Sequence, residues 1–316
     1  MNKKNWGMWI TQIQKPLKDD TLFKVYTSLK IISIPLMTLG ILASMLWIIL
    51  SLNLVFFSAN GFVQVSGLED TFYEHLSQIL FSNLKWGLLA LAIMAILGWY
   101  VSILILRPFK LIGEYCDQVS KGEKPEYNQD LFTDVRLLTS FCDYFFNYME
   151  NALKNSSFTP MDILKKYQKI HAPVFEKLFF IQFFLLILGA SVAVGVGIYY
   201  LTVEVYMDLI TLSIQALKSE PVGMYFFSEQ KEIFLQIVSI VMVIYLILNF
   251  FLCMHFHTLI SGPAFAVFST MRAFLKGNFD SRIHVIGSRY LRDYIIKINK
   301  YLDYIQKNVE IHKCKE

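Results

Sequence analysis

Four long runs of apolar residues dominate the pattern along this 316-residue chain. They cover approximately residues 31–57, 86–106, 178–203 and 233–256, and none of them contains Asp, Glu, Lys or Arg. At about 1.5 Å per residue, each run can cross a hydrocarbon core of about 30 Å as a helix. A helix is required because an apolar segment in lipid must satisfy its own backbone hydrogen bonds. The pattern predicts an all-α, multi-pass membrane protein with two transmembrane hairpins, 31–106 and 178–256.

Basic residues between the runs predict the orientation of these hairpins. The segments before residue 31, from 107 to 177 and after 256 are rich in Lys and Arg, whereas 58–84 has neither and 204–232 has only Lys218 and Lys231. The positive-inside rule then places both termini and the central segment in the cytoplasm. The formal net charge of +4 follows from this topology, and we expect no nucleic-acid partner. The first run is too long and starts too late for a cleaved signal peptide, so we expect it to be retained.

A second pattern follows the second and the fourth apolar runs, 155 positions apart. Its first copy consists of Pro108, Ile112, Cys116, Val119 and Gly122, and its second of Pro263, Val267, Met271, Phe274 and Gly277. Steps of three and four residues place the apolar members on one face of a helix. The proline suits the first turn of such a helix, and the glycine suits its left-handed end. We interpret the two copies as an internal duplication.

Each copy continues into a connector and a second predicted helix. The second helices cover about residues 132–153 and 288–306, so the two modules are 107–153 and 257–306. The second helix of the first module carries Phe146-Asn147-Tyr148-Met149, and the second helix of the other module carries Ile298-Asn299. A connector with Arg282-Ile283 precedes the latter.

These residues resemble the HAMP domain, the helix-connector-helix module that joins transmembrane helices to output domains in bacterial receptors. The resemblance covers about three tenths of the chain and rests on the positions just named. The acidic Asp-Glu pair of the family is absent, because Leu137-Leu138 and Arg289-Tyr290 stand in its place. The resemblance implies a bacterial cytoplasmic (inner) membrane and a role in signal transduction.

The resemblance also implies a way for the chain to assemble. HAMP modules are parallel four-helix bundles to which each copy supplies two helices, so receptors with one copy dimerise. Two copies and four spans in one chain would complete one bundle. We therefore expect a monomeric pseudo-dimer with an approximate two-fold axis, in preference to an obligate homodimer. A four-helix transmembrane bundle would then continue into a HAMP-like four-helix cytoplasmic bundle.

Three further segments complete the predicted organisation. Residues 1–30 form a cytoplasmic amphipathic segment in which Trp6, Trp9, Ile10 and Ile13 lie among lysines. Residues 154–177 form an amphipathic linker that returns to the membrane, with a helix after Pro160. Residues 307–316 form a tail.

Small residues in the third run predict close packing between spans. Gly189, Ala193 and Gly197 recur every four residues on one helical face. This spacing lets membrane helices approach closely. A substrate path is the alternative interpretation of the same stripe.

The sequence contains few candidates for chemistry. Cys253, His255 and His257 lie close together in sequence, but positions i and i+2 of a helix point in nearly opposite directions and two ligands are too few for a metal. No phosphate-binding loop, zinc spacing, nucleophile elbow or kinase motif occurs. Cys116, Cys142 and Cys314 lie on the predicted reducing side, so we expect no disulfide. We expect no catalytic residues, no metal, no cofactor and no enzymatic activity.

Only ten residues follow the second module, where receptors of this kind carry an output domain. We therefore expect signalling through a separate protein on the cytoplasmic side or in the membrane, which makes the chain an adapter or scaffold in the lipid bilayer. The alternatives are a small channel, a transporter accessory subunit or a purely structural scaffold. The predicted spans contain no ionisable acid or base of the Asp, Glu, Lys or Arg type, which transporters usually need there.

Overall fold

The computed structural model describes residues 19–60, 68–123, 136–155, 158, 160, 163–164, 167, 177–216, 221–285 and 287–313. All regular secondary structure in these ranges is helical. The helices are α1 (Asp19–Ala59), α2 (Leu68–Ser120), α3 (Arg136–Asn155), α4 (Lys177–Ala216), α5 (Pro221–Leu275) and α6 (Arg292–Lys313), with a 3₁₀ turn at Arg289–Leu291 directly before α6.

Four of the helices, α1, α2, α4 and α5, are long and apolar enough to cross a membrane. Each contains one of the predicted apolar runs. Many of their large apolar side chains are exposed, as in Phe81 at 75% of its surface. Such exposure of large apolar side chains is costly in water and is accommodated by lipid. The structure thus agrees with the prediction of an all-α chain with four apolar spans.

The four helices extend well beyond the uncharged runs that predicted them. Helix α2 begins at Leu68 and α4 continues to Ala216, so much of the two predicted outer loops is helical. Apolar side chains in these extensions are buried, among them Phe72, Leu76 and Leu209. The first charged residues mark the ends of the apolar runs. The helices continue beyond these points because buried apolar residues recur there with helical spacing.

Two prolines that the sequence placed at the start of a helix lie inside one. Pro108 belongs to α2 and Pro263 to α5, and neither helix is interrupted there. A proline inside a helix removes one backbone bond and crowds the carbonyl four residues earlier. Both prolines are buried, and long packed segments on each side hold the helix together. The predicted helix starts at these two positions were therefore wrong.

The chain divides into two compact units. Unit 1 comprises residues 1–27, 99–181 and 256–316, and unit 2 comprises 28–98 and 182–255. The core of unit 2 is aromatic and aliphatic, and within it Tyr206 stacks on Phe234 with ring centroids 3.7 Å apart. Buried polar side chains join helices in the same unit: Ser191 Oγ donates to Asn249 Oδ1 at 2.9 Å, and Tyr245 donates to the Ser191 carbonyl at 2.9 Å.

The small-residue stripe of the third run does not pack in this structure. Gly189, Ala193 and Gly197 are all exposed, and a Cβ built on either glycine meets nothing within 4 Å. The buried face of α4 carries Ile187, Ser191 and Gly195 instead. A spacing of four defines a stripe but does not tell which stripe faces a neighbour. The prediction of close packing at this stripe is contradicted within the chain.

Two other glycines in unit 2 do allow close approach. A Cβ on Gly195 would lie 2.9 Å from Tyr245 Cε1, and a Cβ on Gly98 would lie 2.5 Å from Ser28 Cα. The second distance is to backbone, which cannot move aside easily. Gly98 therefore sets how closely α2 approaches α1.

Some predicted segments lie outside the described residues. The residues of the amino-terminal segment up to 18, with Trp6, Trp9, Ile10 and Ile13, are among them. Most of the return linker is outside as well, including Met161 and Ile170, and so is Cys314.

Candidate functional site

The candidate site is the helical core of unit 1, to which the carboxyl-terminal part of α2, helix α3, the carboxyl-terminal part of α5 and helix α6 contribute. Most of the positions predicted from the repeat are buried there. Ile112, Cys116, Met149, Val267, Met271 and Phe274 are exposed over at most 1% of their surface. Pro108 and Pro263 are also buried, whereas Val119 is half-buried.

Contacts in this core link each first helix of the predicted repeat to both second helices. Helix α2 meets α3 where Tyr115 packs on Phe146, with centroids 4.3 Å apart. It meets α6 at Gly113, where a Cβ would lie 3.2 Å from Tyr294 Cα.

Helix α5 makes the corresponding pair of contacts. It meets α3 where Phe268 packs on Phe141 at 4.3 Å and where Cys142 Sγ lies 3.7 Å from Met271 Sδ. It meets the turn before α6 where the Tyr290 hydroxyl donates to the Leu259 carbonyl at 3.2 Å.

The two helices that precede the connectors end in the same way. Gly122 and Gly277 have φ of 85° and 90°, as their predicted role at helix ends requires. At the first end, Gly122 N donates to Val119 O at 3.0 Å and Glu123 N to Gln118 O at 3.1 Å. At the second end, the matching bonds of Gly277 and Asn278 measure 2.9 and 3.0 Å. Both ends are Schellman motifs, which glycine accommodates without steric strain.

Asn299 fixes the second connector to α6. Its side-chain amide pairs with the backbone of Ile283, accepting from the Ile283 N–H at 2.9 Å and donating to the Ile283 carbonyl at 3.1 Å. Ile283 is buried, so this pairing satisfies backbone groups of a connector that has no regular structure. Asn147 is exposed and donates to Asp143 Oδ1 at 3.1 Å. The first connector, 124–135, lies outside the described residues.

Arg282 makes a second attachment of the connector. Its guanidinium donates to Asp303 Oδ1 at 2.7 Å and to the Gln306 side chain of α6, and also to the Phe279 carbonyl at 2.8 Å. It also lies over the Phe274 ring, 5.7 Å from the centroid. A planar group with five donors suits such a multiple contact. The sequence placed Arg282 in the connector but gave no sign that it joins the connector to both α5 and α6.

Aromatic residues of α6 and its preceding turn also hold the start of α1. Tyr290 stacks on Phe23 with centroids 4.0 Å apart, and the Tyr294 hydroxyl donates to the Asp20 carboxylate. Sequence reasoning treated Tyr290 only as a replacement for an acidic residue of the HAMP family and did not single out Tyr294. The sequence feature that could have indicated these contacts is that both residues are large aromatic side chains next to the buried face of a helix.

The core is apolar and its titratable groups are held neutral. Burial raises the pKa of the Cys142 thiol, with a smaller contribution from Asp143. Burial likewise raises the pKa of the Tyr301 hydroxyl. Both groups therefore stay protonated at physiological pH. Neither group is therefore a charged nucleophile or base.

The cysteine and histidines at the carboxyl-terminal end of the fourth apolar run have separate environments. His255 Nε2 lies 2.9 Å from Lys30 Nζ, and His257 packs edge-on against Phe180 at 5.4 Å. Cys253 is buried. Within the described ranges, no three His, Cys, Asp or Glu side chains come together in an arrangement that could hold a metal ion.

No protein-family model, no curated protein and no solved structure matches this chain.

Proposed function

We propose that the chain is a non-enzymatic membrane signalling adapter or scaffold, in which two HAMP-like modules of one duplicated chain pair with each other and relay a conformational change to a separate protein. The observation that carries this proposal is the order of contacts in unit 1. Helix α2 contacts α3 and α6, and α5 contacts α3 and the turn that leads into α6. A bundle built from two helix pairs needs this alternation, because each first helix must lie between the two second helices.

The side chains at aligned positions support pairing within one chain. The repeat aligns Gly113 with Phe268, and the two asparagines align Cys142 with Tyr294. A glycine of α2 thus faces a tyrosine of α6, while a phenylalanine of α5 packs on the α3 segment that carries the cysteine. Pairing the first module with itself in a homodimer would put glycine opposite cysteine, and pairing the second with itself would put phenylalanine opposite tyrosine. The first leaves a void and the second overfills the core, and both are destabilising.

The connector gives this bundle a path for motion. A rotation or tilt of the end of α5 moves the connector, and Arg282 and Asn299 pass that movement to α6. Helix α6 presents exposed side chains such as Ile296 and Tyr304. A partner that contacts these side chains would bind differently when α6 moves. A shift between two packed arrangements of a helical core is a common form of signalling transition.

The test of monomeric pairing is a size measurement of the full chain in detergent, combined with cysteine cross-linking between α2 and α6. The proposal expects one chain per particle and a cross-link within that chain. A homodimer whose cross-links form only between chains would refute the pairing.

The test of signalling is a photoreactive residue in place of Tyr304, introduced into the full chain in its native membrane. The proposal expects a discrete cross-linked protein whose yield changes severalfold in Asn299→Ala and stays constant in Asn147→Ala, the aligned and exposed control. Equal yields in the two variants would contradict a relay through the connector. Solute flux through vesicles that contain only the purified protein would instead establish a channel.

A further inference from the structure

A deep groove runs along unit 2 between α1 and α5. Its volume is about 1050 Å³, and its walls extend from Met37 to Leu52 on α1 and from Phe226 to Val241 on α5. At about 1.5 Å per residue, each wall is about 22 Å long, which is most of a hydrocarbon core of about 30 Å. Drug-sized ligands occupy pockets of about 300 to 1,000 Å³, so the groove can hold a large molecule.

Two small residues leave room on the α1 wall of the groove, and an aromatic residue forms part of its floor. Gly40 and Ser44 lie one turn apart on α1, and a Cβ on Gly40 would meet nothing within 4 Å. Phe234, buried and stacked on Tyr206 at 3.7 Å, supports the floor. The body of the groove therefore suits flexible hydrocarbon chains, and it is open along its side.

One end of the groove is polar and has hydrogen-bonding capacity left over. Gln230 Nε2 donates to Asn53 Oδ1 at 2.8 Å, and this bond leaves Gln230 Oε1 and Asn53 Nδ2 buried without a partner among the described residues. A buried polar atom without a hydrogen bond is destabilising. Gln230 lines the groove, but its Oε1 is itself buried, so the side chain that a bound molecule meets first at this end is the exposed Glu229.

The charge at this end favours one kind of headgroup. The carboxylate-bearing Glu229 also lines the groove, next to Gln230, and the lining residues that the structure describes include no Lys or Arg. The anionic carboxylate of Glu229 attracts a positively charged group that carries N–H donors. A headgroup that is only anionic would find no opposite charge among the described lining residues.

We propose that this groove binds a phospholipid with a primary ammonium headgroup, such as phosphatidylethanolamine. The acyl chains lie along Gly40, Ser44 and Phe234, and the ammonium group donates to the Glu229 carboxylate. The site lies wholly within unit 2, and its existence does not depend on the signalling role proposed for unit 1.

Native mass spectrometry of the full chain in detergent tests the proposal with three lipids that have the same acyl chains. Phosphatidylethanolamine should be retained most strongly. Phosphatidylcholine has a quaternary headgroup without N–H donors, and phosphatidylglycerol has a net negative charge. Equal retention of phosphatidylethanolamine and phosphatidylcholine would overturn the headgroup assignment.

Two variants separate the headgroup from the acyl chains. Glu229→Gln changes an exposed residue and should lower the affinity for phosphatidylethanolamine about three- to fivefold, in keeping with a partly exposed ion pair. The affinity for phosphatidylcholine should fall less, because its quaternary ammonium keeps the positive charge but donates no hydrogen bond. Gly40→Leu fills the groove and should reduce retention of both lipids about tenfold or more.

Gly87→Leu is the matched control, because Gly87 lies in open space on α2 and does not line the groove. It should leave retention unchanged. Unaltered binding in Gly40→Leu would show that the groove is not the site. A dimer in detergent that Gly40→Leu dissociates would show that a second copy, rather than a lipid, occupies it.

Discussion

The two long helices that enter the core of unit 1 have opposite side-chain sizes at the position where each meets its neighbour. Helix α2 presents Gly113, against which Tyr294 of α6 packs so closely that a Cβ would lie 3.2 Å from its backbone. Helix α5 presents Phe268, which packs on Phe141 of α3 with centroids 4.3 Å apart. The sequence repeat aligns these two positions, yet one is the smallest residue and the other among the largest.

If the two modules pair within one chain as proposed, this difference favours the mixed pair over a pair of identical modules. If both modules had the same residue here, the core would not distinguish partners within the chain from partners in a second copy. In the proposed pairing, a small residue in one module and a large one in the other fill space better than two small or two large residues would. Cores are packed densely enough for such a mismatch to matter by several kcal/mol.

Among the variants that test this comparison, Phe268→Ala should lower the free energy of unfolding the most. Phe268 is almost fully buried, and removing its ring leaves a cavity that costs about 3–5 kcal/mol of unfolding free energy. Phe251→Ala, at an exposed position of the same helix, should cost far less. Unfolding of the purified protein in mixed micelles measures both. Equal losses in the two variants would argue against a special role for Phe268.

Gly113→Ala should have the next largest effect. The added methyl group meets Tyr294 Cα and Cβ at 3.2 Å, and overpacking of this kind costs about 1–3 kcal/mol. Gly262→Ala is the matched substitution in α5, where a Cβ meets nothing within 4 Å. It should be neutral or stabilise by about 0.5–1 kcal/mol, because alanine is the better helix former. Thermal unfolding of the two variants should shift in opposite directions or differ clearly, and equal shifts would contradict the close approach.

Asn299→Ala should destabilise the second module by about 1–2 kcal/mol, since both backbone groups of Ile283 lose their partner. Asn147→Ala removes only an exposed contact with Asp143 and should cost less than about 0.5 kcal/mol. Hydrogen exchange at Ile283 reports the difference directly. Protection there that survives Asn299→Ala would show that the amide pairing does not hold the connector.

The smallest effects are expected at the two helix ends. Gly122→Ala and Gly277→Ala each force alanine into a left-handed conformation, at a cost of about 1 kcal/mol. The loss should be slightly larger at Gly277, where a Cβ would lie 3.3 Å from Pro160 Cγ, than at Gly122, where it meets nothing within 4 Å. Denaturation of the two variants side by side measures this. A larger loss at Gly122 would contradict the difference between the two ends.

Predictions from short sequence patterns were confirmed where the chemistry of the residues themselves determines the local structure. Apolar runs predicted the four long helices, and glycine after an amphipathic segment predicted both left-handed helix ends. Local rules failed where several outcomes satisfy the same pattern. Pro108 and Pro263 fit a helix start as well as a buried interior position, and packing kept them inside α2 and α5. The stripe of Gly189, Ala193 and Gly197 fitted a packed face, but Gly195 and Gly98 make the close contacts.

By itself the sequence determined that this is an all-helical chain with four apolar spans and two similar glycine-terminated helix ends. These features depend on hydrophobicity, periodicity and backbone freedom, which are properties of short segments. Only the tertiary structure decided that Arg282 and Asn299 hold a connector to α6, that Gly113 faces Tyr294, and that Gln230 keeps a free acceptor at the end of a groove. Those contacts join residues far apart in the chain, and their partners are chosen by how whole helices pack.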